Sequence, residues 1–395
     1  LHNSIANEPL ASPVFREKPK WTKEEAEAAL GFVLKKIDEN LEVFSRTFPD
    51  AASQGGVYPA VDNFEWTPGF WTGMLWLAYE ATGQDRYRET AEKQLESFYD
   101  RIEQGVHIHT HDLGFVYSLS CVAAYKLTGN EQARIYALKA ADLLLSRTFP
   151  KAGIIQAWGD LNDPNQRGRM IIDCLMNLPL LYWASQETGD LRYREAAVRH
   201  ADQASRYMIR EDASTYHTFF MDTESGAPLR GTTHQGFSDD SCWARGQAWG
   251  IYGFPLSSRY TGNAELLERA KRLGHYFLNR LPADFVPYWD LIFTSGAEER
   301  DSSAAAIAAC GFLEQAEQLP VLDEFRSLYE NAALHMLKSL SESYTTADLP
   351  NSNGLLKHGV YSKPGGAGVD ECTIWGDYFY LEALIRVTRN GKAFW

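Results

Sequence analysis

Residues 68–83 read PGFWTGMLWLAYEATG, and residues 84–101 read QDRYRETAEKQLESFYDR. The first stretch is apolar nearly all round, as a helix buried on every side must be. The second is charged with one apolar stripe, as an outer helix is. Between them stands Thr82-Gly83, with Ala91 nine residues after the threonine. The same signature returns as Thr128-Gly129…Ala137, Thr188-Gly189…Ala197 and Thr261-Gly262…Ala270, at intervals of 46, 60 and 73 residues. Glycine at a helix C-terminus supplies the left-handed residue that ends it, so the repeating unit is one αα-hairpin.

The contrast across each Thr-Gly recurs. Residues 113–127, 171–185 and 243–260 are apolar and read as inner helices; 130–147, 190–210 and 263–280 are amphipathic and read as outer ones. Residues 22–48 open on a Thr22-x-x-Glu25 capping box and form a further outer helix. Residues 302–319 and 373–389 are inner, and 322–344 outer. Six inner and six outer helices in alternation predict an all-α (α/α)6 toroid. A solenoid of stacked hairpins is the alternative, but it would not bury one helix of each pair so completely. Residues 216–231 alone break the helical pattern and predict a short β-hairpin. With no Pro/Ser-rich linker, the expected organisation is an N-terminal extension over 1–20 and one catalytic domain over 21–395.

Composition narrows the function. A net charge of −14 argues against nucleic acid and sets a condition: an anionic substrate needs local cations to overcome the global field. Cys121, Cys174, Cys242, Cys310 and Cys372 are odd in number and read as buried free thiols of a reducing compartment. That implies a cytoplasmic protein, or a periplasmic one if an export signal preceded Leu1. No apolar run reaches about 18 residues, so no membrane span is expected. The 11 Trp, 20 Tyr and 20 Phe suit a carbohydrate pocket and equally suit a toroid core.

Alternation makes the inner helices parallel, so their N-termini share one rim. Thr67-Pro68, His107 to Asp112, Arg169 to Asp173, Asp239 to Arg245, Arg300 to Ser303 and Thr373 to Asp377 meet there. Asp301 reads as a cap or inter-helix tie. Asp173 sits among apolar residues (MIIDCLM), which raises a carboxyl pKa and suits a general acid. Asp112 stands at a helix start beside three histidines, which favours its ionised form. Two carboxylates pushed apart in this way suit an acid and an ionised partner, although a buried structural Asp173 would read the same. The HIHTHD run (107–112) has no second cluster of metal-ligand spacing, so neither a metal nor a cofactor is expected.

At these residues the chain resembles glycoside hydrolase family 88, the unsaturated glucuronyl hydrolases. The matches are DNFEWTPGFW (62–71), HDLGFVYS (111–118), IIQAWG (154–159), IIDCLMNLPLL (171–181), YHTF (216–219), THQG (233–236), WARGQAWGIYG (243–253) and TIWGDY (373–378). The resemblance implies an (α/α)6 barrel with Asp112 and Asp173 as the two essential aspartates. It implies that Trp66, Trp158, His217, Gln235, Arg245 and Trp249 line the pocket. Gly231, Thr233 and Ser362 complete the expected substrate-binding set. The implied substrate is an unsaturated uronyl di- or oligosaccharide left by a polysaccharide lyase, cleaved by hydration of its C4=C5 double bond. A monomer or weak homodimer is expected. An unsaturated rhamnogalacturonyl hydrolase and a sugar 2-epimerase on the same fold are the alternatives. Family members that accept sulfated sugars hold the sulfate with Ser and Lys in the loop before the last inner helix. Here that loop is YSKPGGAG (361–368). It keeps Ser362, places Gly365 and Ala367 at the next positions and follows Lys363 with Pro364, which implies a preference for unsulfated sugars.

Overall fold

The structure, a computed structural model, describes residues 5–389, 391 and 393–395. Each Thr-Gly is a helix stop built the same way. Gly83, Gly129, Gly189 and Gly262 all have φ between 68° and 75°. The hydroxyls of Thr82, Thr128, Thr188 and Thr261 donate to the carbonyl four residues back at 2.7 Å. Three of them also accept the N–H two residues ahead, at Gln84, Asp190 and Asn263. The threonine therefore ends one helix and steers the chain into the next. Ala91, Ala137, Ala197 and Ala270 are fully buried, where a larger side chain would hold the outer helix off its neighbour.

The inner helices are α2 (Pro68–Thr82), α4 (Leu113–Tyr117) running through a π turn (Ser118–Val122) into α5 (Ala123–Thr128), α7 (Leu178–Thr188), α9 (Ala244–Thr261), α11 (Ser302–Gln318) and α13 (Ile374–Arg389). The outer ones are α1 (Lys23–Asn40), α3 (Asp85–Glu103), α6 (Glu131–Leu145), α8 (Leu191–Tyr207), α10 (Ala264–Leu278) and α12 (Glu324–Ser339). This is the expected (α/α)6 toroid. The Thr22 capping box is present in both directions. Pro68 opens α2 as expected, but Thr67 makes no side-chain cap. Residues 5–20 run along the outer helices, with Arg280 on Glu8 at 3.0 Å and Asn331 on the Phe15 carbonyl at 3.1 Å. Residues 1–4 of the expected extension lie outside the described residues.

The expectation of a single non-helical segment is too few. Among the described residues there are four small antiparallel sheets: β1 (Phe48–Pro49) with β2 (Ala60–Val61), β3 (Thr148–Phe149) with β4 (Ile154–Ile155), β5 (Arg169–Ile171) with β6 (Thr218–Met221) and β7 (Pro228–Thr232), and β8 (Gly359–Ser362) with β9 (Ala367–Glu371). The expected hairpin is β6–β7. Strands of two to five residues carry too few alternations to register as a period. All of them lie in outer-to-inner connections, which are long, whereas the inner-to-outer turns are tight. One rim thus carries the elaborated loops. Toward the opposite rim a buried polar layer joins the inner helices, where Arg386 pairs with Glu314 at 2.9 Å and the Tyr252 hydroxyl donates to Glu382. All five cysteines are buried and free, and no helix of the described residues is long and apolar enough to cross a membrane.

Candidate active site

A cavity of about 460 Å³ opens at the elaborated rim, and Asp112 and Asp173 lie in its wall. Asp112 is the residue before α4, yet its carboxylate does not cap the helix. It accepts a hydrogen bond from the Thr110 hydroxyl at 2.7 Å. The segment carrying it is anchored by the His111 N–H on the Ala157 carbonyl at 2.8 Å. Asp173 lies in a 3-10 turn (Ile172–Met176) ahead of α7, a correction to the expected inner helix over 171–185. The physical cause is Pro179, whose missing N–H cannot bond back to the Leu175 carbonyl, so it is accommodated in the first turn of an α-helix that begins at Leu178. Asn177 ties the two helix starts together: its Oδ1 accepts the Phe115 N–H at 2.7 Å and its amide contacts the Asp173 carbonyl at 3.4 Å. The approach is close enough that a Cβ on Gly114 would stand 2.3 Å from Asn177 Cα.

Between the carboxylates stands His111, only 1% exposed, its Nε2 at 3.3 Å from both Asp112 Oδ1 and Asp173 Oδ1. Burial pulls its pKa down, but the two carboxylates outweigh burial and hold it well above the usual imidazole value. Asp112 resists its own burial because His111 and the Thr110 hydroxyl stabilise its charge, and its pKa is lowered. Asp173 is pushed up to about 7 by burial, with His111 pulling down and Asp112 pushing up. At neutral pH the favoured state is an Asp112 carboxylate, a His111 imidazolium and a proton poised on Asp173. The same three atoms lie within 4.8 Å of one another, as metal donors would. In this structure the three side chains form an ion-paired set around one buried imidazole.

His217 is buried on the opposite side, its Nδ1 accepting the N–H groups of His234 (2.9 Å) and Gln235 (3.1 Å). Burial, His234 and Arg245 hold its pKa well below the usual value. It is therefore a neutral imidazole with its proton on Nε2. Arg245, 1% exposed, lies over the rings of Trp243 and Trp375 at 4.5 and 4.8 Å. Its Nη2 donates to Gln235 Oε1 at 2.8 Å and to the Tyr361 carbonyl at 2.7 Å. Its Nη1 donates to the Val360 carbonyl and lies 3.4 Å from Asp301. Asp301 is thus the inter-helix tie that its cap position implied. Trp66 stacks on Trp375 at 4.9 Å and donates through Nε1 to the Tyr361 hydroxyl at 3.0 Å. Trp249 is buried against Phe115, and Trp158 lies beneath the Arg169 guanidinium at 4.7 Å. An acid, an ionised partner, a neutral imidazole donor, a buried cation and four indoles thus surround one cavity.

Comparison with known proteins agrees. Residues 40–349 match the model of Glycosyl Hydrolase Family 88. The chain belongs to glycosyl hydrolase family 88. It is 49% identical over 99% of both chains to the "Unsaturated chondroitin disaccharide hydrolase" of Streptococcus pneumoniae. Its fold superposes on the crystal structure of unsaturated glucuronyl hydrolase from Streptococcus agalactiae with a TM-score of 0.96, at 45% identity and 99% coverage of both chains. A variant of the S. agalactiae enzyme complexed with dGlcA-GalNAc6S gives 0.88, at 43% identity and 99% coverage of both. The family is one of glycoside hydrolases, which sets the sugar 2-epimerase reading aside.

In this family 88 hydrolase the expected residues Trp66, Trp158, His217, Gln235, Arg245 and Trp249 line the cavity with the two aspartates. Gly231, Thr233 and Ser362 do not. Gly231 lies under the Tyr216 ring, where a Cβ would stand 2.3 Å from the nearest ring atom. The Thr233 hydroxyl accepts the Gly236 N–H at 2.8 Å and shapes the 233–236 loop. The Ser362 hydroxyl accepts the Gly365 N–H at 3.3 Å within the β8–β9 turn, and Lys363 pairs with Glu299. Sequence reasoning assigned no pocket role to His111, nor to Glu65, His107, His109, Thr110, Gly159, His234, Trp243 and Tyr361, which also line the cavity. HIHTHD signalled the first, but only the fold brings Asp173 to its other side.

Proposed function

We propose that this family 88 enzyme removes a 4,5-unsaturated uronic acid from the non-reducing end of lyase-generated glycosaminoglycan oligosaccharides, with a preference for unsulfated ones. The observation that carries the reading is the Asp112–His111–Asp173 arrangement, two carboxyl groups each 3.3 Å from one buried imidazole, with burial and the Asp112 charge raising the pKa of Asp173 while His111 stabilises the charge of Asp112. The C4=C5 bond is a vinyl ether because C5 bears the ring oxygen. Asp173 gives its proton to C4, and the cation that forms at C5 is stabilised by the ring oxygen and by the Asp112 carboxylate. Water adds to C5 and passes a proton to the Asp173 carboxylate, restoring the acid. The C5 hemiketal opens to a ketone, C1 is left as a hemiacetal, and the hemiacetal expels the rest of the oligosaccharide as an alcohol.

The flanking groups have matching roles. Arg245 has both terminal nitrogens committed to the protein, so it favours the substrate carboxylate by its field, and the His217 Nε2–H and the Gln235 amide donate hydrogen bonds. Trp66, Trp158 and Trp249 supply ring faces. The pairing of Lys363 with Glu299 supports the sulfation preference, because it occupies the one ammonium in that loop. Gly231, Thr233 and Ser362 act by shaping the loops around the pocket. The catalytic domain is residues 21–395, a monomer or weak homodimer, and the free buried cysteines support a cytoplasmic location. The deciding experiment follows the short-wavelength ultraviolet absorbance of the vinyl ether on a panel of lyase products. Loss of absorbance with unsaturated chondroitin or hyaluronan disaccharide is expected. Loss only with unsaturated rhamnogalacturonan disaccharide would move the enzyme to pectin, and no loss on any member would end the reading.

A further inference from the structure

The chemistry above leaves one wall of the cavity mouth unused, made of Glu65, His107 and His109. Six non-glycine residues among those described have positive φ, and Glu65 (56°) and His107 (47°) are the two that line the cavity. Left-handed backbone is unfavourable for residues with a side chain and persists only where the surroundings over-determine it, which happens most at ligand sites. Here the over-determining group is Arg101, 2% exposed. Its Nη1 donates to Asn63 Oδ1 at 3.0 Å, and its Nη2 donates to the carbonyls of Glu65 at 2.7 Å and His107 at 3.0 Å. A buried guanidinium thus fixes both residues by their backbones and leaves their side chains to the opening.

Those side chains form a set. His107 Nε2 is 3.9 Å from Glu65 Oε2, with 35% and 53% of the two side chains exposed. The ring of Phe64, 49% exposed, lies 4.7 Å from the His107 ring. Asp112 and Asp173 are deeper, at 15% and 20%. A carboxylate that accepts from hydroxyls, an imidazole beside it and an exposed aromatic face are the groups that hold a pyranose ring by its hydroxyls and its C–H face. We propose that Glu65, His107 and Phe64 form a subsite for a sugar ring on the leaving side of the cleaved linkage, with Arg101 as the positioning residue. The proposal rests on the activity inferred above.

The test compares two substrates with the same unsaturated uronate, an unsaturated hyaluronan tetrasaccharide and the methyl glycoside, which has no leaving sugar. The variants are Glu65→Gln combined with His107→Asn, since asparagine tolerates the left-handed backbone, and separately Phe64→Ala, which leaves the strained positions alone. The ratio of kcat/KM for the tetrasaccharide to that for the methyl glycoside should fall about tenfold in the double variant, the worth of one or two hydrogen bonds. It should fall by a smaller factor in Phe64→Ala. A wild-type ratio in both variants would overturn the subsite, as would an equal loss on both substrates. Wild-type enzyme that turns over neither compound would instead fail the underlying activity.

Discussion

Asp173 and Asp112 are chemically the same side chain in two electrostatic settings, and replacing either by its amide separates their roles. Asp173→Asn removes the proton that must reach carbon, so kcat should fall about a thousandfold with KM little changed. Near-wild-type turnover would refute the assignment. Asp112→Asn should also lose most of kcat; a rise in KM alone would make it a binding residue only. His111 is tested by pH. Activity needs Asp173 protonated, so it should decline as pH rises through about 7, and it needs Asp112 ionised, so it should decline in acid below the usual carboxylate range. Because the imidazolium lowers both carboxyl pKa values, His111→Gln should move both limbs of the kcat/KM profile to higher pH. An unshifted profile would show that His111 does not set them. The apolar run MIIDCLM makes the raised pKa of Asp173 legible in the sequence. The imidazolium that couples it to Asp112 is not, since the contact joins two inner helices whose spacing only the closed ring defines.

At the scale of elements, the Thr-Gly stops and their buried alanines were readable because each lies within one turn of helix, where sequence dictates geometry directly. The strands were not, because two-residue pairings such as Phe48↔Val61 are too short to show an alternation and are set by the loops that bring their partners together. The glycines separate these two kinds of information. Gly129 is left-handed with open space around it, so Gly129→Ala should cost about 1 kcal/mol in denaturant unfolding, from backbone alone. Gly114 stands against the backbone of Asn177, so Gly114→Ala should cost several times more and abolish activity by parting the two aspartates. Equal costs would contradict the packing. The β8–β9 turn makes the remaining prediction at this scale. Wild type should prefer unsulfated over 6-sulfated chondroitin disaccharide in kcat/KM, and Glu299→Gln, which releases Lys363, should narrow that preference. A wild-type preference for the sulfated sugar would overturn this account of the loop.

For the whole molecule, the net charge of −14 and the burial of Arg245 and Arg101 bear on one another. The cations that favour a substrate carboxylate are sunk within the wall, while the surface presents an excess of acid. A fragment bearing one or two carboxylates meets modest repulsion on approach, but an intact polyanion meets it once per repeat. This balance should act as a charge sieve, disfavouring long polyanions before contact. Salt should open the sieve. As ionic strength rises past about 0.1 M and screening shortens to roughly 10 Å, uncut hyaluronan should become a better competitive inhibitor, while KM for the unsaturated disaccharide shifts far less. A polymer that inhibits equally well in low and high salt would show that length is read by the shape of the mouth alone.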